Sequence, residues 1–377
     1  MVEKVLLGID FVGDNFPAAL YSIQQWWAYA NRGGQHACMF GISNFCDRST
    51  PLPRAAGLTP NDGLRIISSF VPKEQLVQWT SDIDAALLGK VEANGGRSQP
   101  FYPEFSYGSV VNRLLLLAAS HGCDYLVRID PGTLPPREGT FAEWMKKHQD
   151  EIKADPRIAV SRRYAERLAL RDMFVQKERR DDHAKLVEQF TGIDVQKQVT
   201  GGAMLTLKTP GTPAICFPGG AGPTLVWASD DGAYQVLGNG RLLDDGKEEH
   251  RVRRFDPEGK PKKPREYYRG ILGAVYLKAL RDKVEGEKAR ERADGFIKAL
   301  LLEPQILDDE KCKEVDPQWC ETFTHDSIAP KEFVEAIRKG YKNHQTLLRE
   351  WDKMCVVLKP SVVRETTAGN HLDTDEK

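Results

Sequence analysis

The first residue that could do chemistry is an aspartate at the end of a short apolar run. Residues 125–129 are mostly apolar, Asp130 follows them, and Pro131 and Gly132 then form a rigid turn. The run predicts a buried strand, and parallel sheets bind ligands at the carboxyl ends of their strands. A carboxylate there can hold Mg²⁺ or Mn²⁺, hard cations that prefer oxygen ligands and bridge phosphates. The alternative is structural, because aspartate also favours turns.

Two adjacent aspartates, Asp230 and Asp231, form the second candidate, within the sequence WASDDGAY. One carboxylate could accept a proton from a hydroxyl group as a general base, or could hold that hydroxyl in place. Aspartate is also common in solvated turns and at helix N-termini, where it caps backbone N–H groups and faces the positive end of the helix dipole. The pair therefore indicates a catalytic site only in combination with other residues.

The third candidate is a charged segment that begins after Arg241. It contains His250 and then a run of cations, of which Arg251 and Arg253 come first. The low apolar content predicts a flexible loop over residues 242–269, because such a segment buries too little surface to fold alone. Its cations could close over a diphosphate and neutralise a leaving group, whereas the alternative is a solvated linker.

The elements that must position these residues predict an α/β fold. KVLLGIDFV and HACMFGI are short apolar runs with a helical pattern between them, which is how a parallel sheet begins. A second helical pattern, YGSVVNRLLLLAASHG, leads into the run that ends at Asp130, and after Gly270 the pattern is helical until a polar tail. We therefore predict an α/β region over 1–241, the charged loop over 242–269 and a helical region over 270–377.

The composition argues against several classes of function. The chain has 377 residues and a formal net charge of −1, so bulk attraction to nucleic acid or to anionic lipid is not expected. No apolar stretch reaches membrane-spanning length, and the N-terminus is too acidic for a signal peptide. The seven cysteines are scattered without a CxxC pair, which argues against a zinc site or a disulfide framework. A reducing cytoplasm is the expected location.

The order of these elements resembles that of the GT-A glycosyltransferases, which transfer a sugar from a nucleotide diphosphate donor. The resemblance covers residues 4–269. It is carried by the helix with Asn112 and Arg113, the strand that ends at Asp130, the strand TGGAMLTLK and then the acidic pair. It implies a GT-A-like (Rossmann-like) fold, with a mostly parallel central sheet and helices on both faces. The chain departs from the family's Asp-x-Asp motif, which reads Asp-Pro-Gly here and lacks the second carboxylate.

The resemblance also implies a role for each candidate residue. Asp130 and His250 would bind the metal, since some members have a histidine in a C-terminal loop as a further ligand. Asp230 and Asp231 would act on the acceptor hydroxyl. The residues expected to bind the nucleotide-sugar, from the resemblance or from their place near strand ends and in loops, are Asp10, Phe11, Ser43, Asn44, Arg97, Asn112, Arg113, Gly132, Gly202, Arg251 and Arg253. Two of these have simple alternatives, which are core packing for Phe11 and an ordinary loop position for Arg97.

The predicted function is that of a glycosyltransferase of the hexosyltransferase type, with a divalent metal, Mn²⁺ or Mg²⁺, as cofactor. It would use a nucleoside-diphosphate sugar donor and a small-molecule, glycan or protein acceptor, with stereochemistry, oligomeric state and a strict metal requirement left open. Two alternatives share the fold. Sugar-phosphate nucleotidyltransferases need a glycine-rich loop with a basic residue after the first strand, which GIDFVGDNFP lacks. The other alternative is a non-catalytic sugar-nucleotide-binding protein, which the missing second carboxylate suggests.

Overall fold

The computed structural model of the chain describes a central sheet, the helices around it and a C-terminal helical region. The described residues are 3–10, 16–32, 37–43, 65–78, 107–155, 158–164, 174–193, 203–206, 214–216, 233, 236–238, 241–248, 263–302 and 306–357. Among the helices in these ranges, none combines the length and the apolar character needed to cross a bilayer.

One seven-stranded sheet forms the centre of the α/β region. Its strands are β1 (Lys4–Asp10), β2 (Ala37–Ser43), β3 (Leu76–Gln78), β4 (Tyr125–Ile129), β5 (Ile158–Tyr164), β6 (Ala203–Thr206) and β7 (Arg241–Glu248). Their order is β3-β2-β1-β4-β6-β5-β7, in which β6 is antiparallel to both of its neighbours and the other pairs are parallel. This arrangement confirms the coarse fold prediction, which is an α/β fold with a mostly parallel central sheet.

Helices cover both faces of the sheet. The first three are α1 (Phe16–Asn31), α2 (Tyr107–Ser120) and α3 (Phe141–Ala154). Helices α1 and α3 share one apolar cluster with alternate residues of β1, β2 and β4. Helix α2 lies on the opposite face, where its Leu114 side chain would be 3.2 Å from a Cβ placed at Gly8. This alternation follows from the two-residue period of a strand, which sends successive side chains to opposite faces.

The C-terminal region is helical and is built around one buried helix. Its helices, with one that precedes β6 in the chain, are α4 (Arg180–Thr191), α5 (Pro264–Arg281), α6 (Glu287–Leu301), α7 (Asp309–Val315), α8 (Trp319–Thr322), α9 (His325–Ile328) and α10 (Lys331–Val357). Helix α5 contains the run GILGAVYL, which is buried throughout. A helix that is apolar all round must be enclosed on all sides, and α4, α6, α9 and α10 pack against it.

The boundaries of the regions differ from the predicted ones in two places. The predicted charged loop, 242–269, contains most of β7 at one end and the first turns of α5 at the other, and its residues 249–262 lie outside the described ranges. Within the described part of the sheet β7 is an edge strand. Edge strands tolerate charged residues because one of their sides is not paired with another strand. Helix α4 belongs to the C-terminal core, where Ala184 and Val187 are buried, although the sequence places it in the α/β region.

Candidate functional site

Three strands end at the same edge of the sheet, and a predicted site residue stands at each end. Asp10, the last residue of β1, is aligned with Ser43, the last residue of β2. Ile9 is aligned with Ile129, the last residue of β4, so Asp130 follows at the level of Asp10. The position predicted for Asp130, directly after the carboxyl end of a parallel strand, is therefore the observed one.

A tight β-turn follows β4 and explains the Pro-Gly pair. The Thr133 N–H donates to the Asp130 carbonyl oxygen at 3.0 Å, and the Thr133 hydroxyl donates to the same oxygen. Gly132 has a φ of 91°, which L side chains rarely adopt and which the third position of a type II turn requires. Pro131 sets the φ of the second position. These local rules determine the turn and make Asp130 its first residue.

Helix α1 holds this turn by two hydrogen bonds. The Gly132 N–H donates to Oγ of Ser22 at 2.8 Å, and the indole N–H of Trp26 donates to the Thr133 carbonyl at 3.2 Å. Ser22 and Thr133 are fully buried, and Trp26 is 2% exposed. Ser22 and Trp26 are four residues apart and therefore share one face of α1. The backbone amide of Gly132, a residue predicted to contact the nucleotide-sugar, is thus bound to a protein side chain, and Gly132 has a role in the turn.

The Asp130 carboxylate has one oxygen atom inside the protein. Oδ1 is buried and makes no hydrogen bond to any residue in the described part of the chain, while the side chain as a whole is 15% exposed. Nε of Arg128 lies 3.9 Å from Oδ1, on a side chain that is 5% exposed. The two residues are two positions apart, so both project from the same face of the strand. A buried carboxylate oxygen without a hydrogen bond is costly unless a ligand satisfies it, and a hard cation is a suitable ligand.

Asn112 was predicted to bind the nucleotide-sugar, but its side chain binds the protein. The residue is fully buried on α2. Its Nδ2 donates to the Ala214 carbonyl at 3.1 Å and to Sγ of Cys216 at 3.3 Å, and its Oδ1 accepts from the Ala214 N–H at 2.8 Å. Both amide donors are therefore occupied. The structure gives Asn112 a structural role in place of the predicted one, while Arg113, half-buried on the same helix, stays a candidate.

The segment 214–216 is held between α2 and α10. A Cβ at Gly108 of α2 would come within 2.1 Å of the Ile215 carbonyl oxygen, so the helix touches the backbone of the segment directly. On α10, His344 forms a hydrogen bond with the Ala214 backbone. The whole segment is buried. It therefore connects a helix of the sheet with the last helix of the C-terminal region.

The buried His344 predicts a loss of stability in mild acid. Burial lowers its pKa from 6.5 to about 4, and the hydrogen bond to the Ala214 backbone offsets only part of this shift. The unfolded chain therefore takes up a proton first, so the contribution of His344 is complete above pH 6.5 and is lost as the pH falls towards 4. We expect the free energy of unfolding to decrease by roughly 3 kcal/mol over this interval through His344.

Urea unfolding at pH 7, 5 and 4 measures this effect. His344→Gln keeps an N–H donor for the Ala214 backbone without titrating, so it should flatten that part of the pH dependence. Equal pH dependence in the two proteins would show that His344 does not contribute to acid sensitivity.

Most of the remaining predicted site residues lie outside the described ranges. These are Phe11, Asn44, Arg97, Gly202, Asp230, Asp231, His250, Arg251 and Arg253. Their roles stay predictions. For Asp10 and Ser43 the structure describes the strand positions given above. Within the described ranges, no three His, Cys, Asp or Glu side chains gather into a group that could hold a metal ion.

The residues that bond the turn after Asp130, or that lie beside its carboxylate, were missed in the sequence. Ser22 and Trp26 lie within an apolar helical pattern, and Arg128 lies within an apolar strand. A signal was present, because a serine and a tryptophan four residues apart on the buried face of a helix both require hydrogen-bond partners. An arginine inside a buried strand, two residues before an aspartate, was a second signal.

No family model matches the chain, and no curated protein is similar to it at the level required for a match. Solved structures that resemble it include glucosyl-3-phosphoglycerate synthase from Mycobacterium tuberculosis in complex with Mg²⁺ and UDP, with 15% identity, a TM-score of 0.41, and coverage of 75% of this chain and 81% of that chain. The same synthase with Mn²⁺, UDP-glucose and glycerol 3-phosphate has 15% identity, a TM-score of 0.41 and coverage of 75% and 82%. A mycobacterial protein has 14% identity, a TM-score of 0.43 and coverage of 76% of both chains. The fold class of this chain rests on its own strand order.

Proposed function

We propose that the chain is a glycosyltransferase that moves a sugar from a nucleoside-diphosphate donor to an acceptor hydroxyl. The observation that carries this proposal is the Asp130 carboxylate, which stands at the carboxyl edge of a mostly parallel sheet with one buried oxygen that accepts no hydrogen bond from a described residue. Ligands of open α/β sheets bind at this edge. A rigid turn, tied to α1, holds the carboxylate in one place, as a binding site for a charged ligand requires.

The donor set at this edge fits a divalent metal in part. Asp130 supplies one hard oxygen ligand, and cations such as Mn²⁺ and Mg²⁺ complete their shells with water and phosphate oxygens. When bound, the metal would supply positive charge that stabilises the departing nucleoside diphosphate. The chain's own contribution is to hold the Asp130 carboxylate in place. Nε of Arg128 lies 3.9 Å from Oδ1 of Asp130, and its positive charge partly offsets the negative charge of the site.

The other predicted residues complete the proposal. His250 is proposed as a second metal ligand, and Arg251 and Arg253 are proposed to neutralise the phosphates of the leaving group. Either Asp230 or Asp231 would accept a proton from the acceptor hydroxyl or orient it. Catalysis of this kind depends mostly on positioning and electrostatics, because negative charge develops on the departing diphosphate as the sugar is transferred to the acceptor.

We also propose a cytoplasmic location. The described cysteines, Cys38, Cys123, Cys216, Cys312, Cys320 and Cys355, are all free thiols. Free thiols are the normal state in a reducing compartment, whereas secreted proteins usually pair them.

One experiment separates the proposed activity from its alternatives. The protein is incubated with a panel of UDP- and GDP-sugars, Mn²⁺ and a set of small hydroxyl acceptors, and the nucleotide products are separated by ion exchange. Release of nucleoside diphosphate that depends on an acceptor supports a glycosyltransferase. Release of pyrophosphate would indicate a nucleotidyltransferase instead. Binding of the nucleotide-sugar without any product would indicate a non-catalytic binding protein.

A further inference from the structure

We propose that Ser22 is a positioning residue for the Asp130 site, acting through the backbone of Gly132. This inference rests on the proposed function, because it assigns Ser22 to the same site. Ser22 is fully buried in α1, and its Oγ accepts the Gly132 N–H at 2.8 Å. Gly132 is two residues after Asp130 in a four-residue turn, so Ser22 constrains the Pro131–Gly132 peptide in the middle of the turn that Asp130 begins.

The turn needs this constraint because its third residue is glycine. Glycine populates positive and negative φ almost equally, so the turn hydrogen bond alone leaves Gly132 with alternatives to its φ of 91°. The hydrogen bond to Ser22 selects one of them. Without the acceptor, the N–H would lose its partner inside the protein, and the turn would relax to satisfy it.

Trp26 provides a second, independent tie to the same turn. Its indole N–H donates to the Thr133 carbonyl at 3.2 Å, one helical turn after Ser22 on the same face of α1. Rings of Tyr29 and Trp144 pack against Trp26 with centroids 6.1 and 5.9 Å away, which fixes its orientation. Two hydrogen bonds from one rigid helix thus hold the second half of the turn, and the first half carries Asp130.

The test compares two buried serines. Ser22→Ala removes the acceptor for Gly132. Ser120→Ala, the control, removes a hydroxyl that bonds within α2 to the Leu117 carbonyl at 2.8 Å. The first readout is hydrogen exchange of the peptide that contains Gly132, which should exchange faster in Ser22→Ala and normally in Ser120→Ala. The second readout is the binding of Mn²⁺ in the presence of UDP, followed by the EPR signal of free Mn²⁺.

We expect Ser22→Ala to weaken Mn²⁺ binding about tenfold, as loss of a partner behind a metal ligand commonly does. The turnover number at saturating Mn²⁺ should stay within about twofold of wild type, because saturation restores the bound metal and Asp130 is still present. If Ser22 had a purely structural role, Ser22→Ala would lower the free energy of unfolding but would not lower Mn²⁺ affinity while leaving turnover normal. Trp26→Phe keeps the aromatic packing, removes the N–H donor, and should change exchange and Mn²⁺ affinity in the same direction, so the test stands even if Ser22→Ala folds poorly.

The outcomes separate this inference from the proposed function. If the wild type binds Mn²⁺ with UDP and both variants match it in exchange and affinity, the role of Ser22 is wrong while the proposed function stands. If the wild type neither binds Mn²⁺ with UDP nor releases nucleoside diphosphate, the proposed function fails, and with it the link from Ser22 to a ligand. Faster exchange in Ser22→Ala would then show only that Ser22 holds the turn.

Discussion

Asp130→Asn is expected to lower sugar-transfer turnover about 100-fold or more, because it removes the charge of the carboxylate proposed to hold the metal that would stabilise the leaving diphosphate. The substitution keeps the size of the side chain. It also keeps the turn, since Thr133 bonds the backbone carbonyl of residue 130 and asparagine is favoured at this position of a turn. The turn should therefore persist in the variant, and any fall in its melting temperature should come from loss of the ion pair with Arg128, whose Nε lies 3.9 Å from Oδ1.

Asp124→Asn is a matched control for this prediction. Asp124 precedes β4 as Asp130 follows it, and its carboxylate accepts the Lys4 N–H at 3.1 Å, at the opposite edge of the sheet from the proposed site. Asparagine can also accept this hydrogen bond. Release of nucleoside diphosphate, measured against Mn²⁺ concentration, should be normal in Asp124→Asn. Normal turnover in Asp130→Asn would remove Asp130 from the site and leave the proposed function without its main support.

Asn112→Leu is expected to lower the free energy of unfolding by about 4 kcal/mol, because it leaves buried polar groups without their partners. The Ala214 N–H loses its acceptor, and the Ala214 carbonyl and Cys216 each lose a donor. Leucine has a similar volume, so loss of hydrogen bonds rather than a cavity should account for most of the effect.

Urea denaturation at neutral pH measures this loss, and Asn31→Ala provides the control. Asn31 is exposed at the end of α1 and donates to the Trp27 carbonyl of its own helix at 2.8 Å, so its removal should cost less than about 1 kcal/mol. A different result would restore the role predicted from the sequence. If Asn112→Leu were as stable as the wild type but failed to bind UDP, Asn112 would be a nucleotide ligand.

The features that the sequence predicted well are those that local rules determine. The apolar run before Asp130, the proline and the glycine each specify one step of a strand followed by a turn, whatever lies around them. The strand-helix-strand order likewise predicts a parallel sheet without any long-range information. For this reason the fold class and the position of Asp130 followed from the sequence.

The features that the sequence predicted poorly depend on tertiary partners. Asn112 looks the same in sequence whether its amide faces a ligand or the backbone of residues 214–216, which follow about 100 residues later in the chain. The segment 241–248 is charged, and only its pairing with β5 makes it a strand. Helix α4 is polar on most sides, and its buried residues can be recognised only from their contacts with α5. In each case a contact between distant segments overrides the local pattern.

The place of β6 in the sheet has a consequence for how the chain is made. β6 lies between β4 and β5, yet the ribosome synthesises it after both of them. About 70 residues separate the end of β4 from the start of β6, and at ordinary rates of translation they take roughly 4 to 15 seconds to emerge. Throughout this interval one edge of β4 has no partner strand. Once β5 has been made, it also lacks both of its neighbours, β6 and β7. Unpaired strand edges of this kind can pair with other chains, so we expect chaperones that shield the growing sheet to raise the yield of native protein.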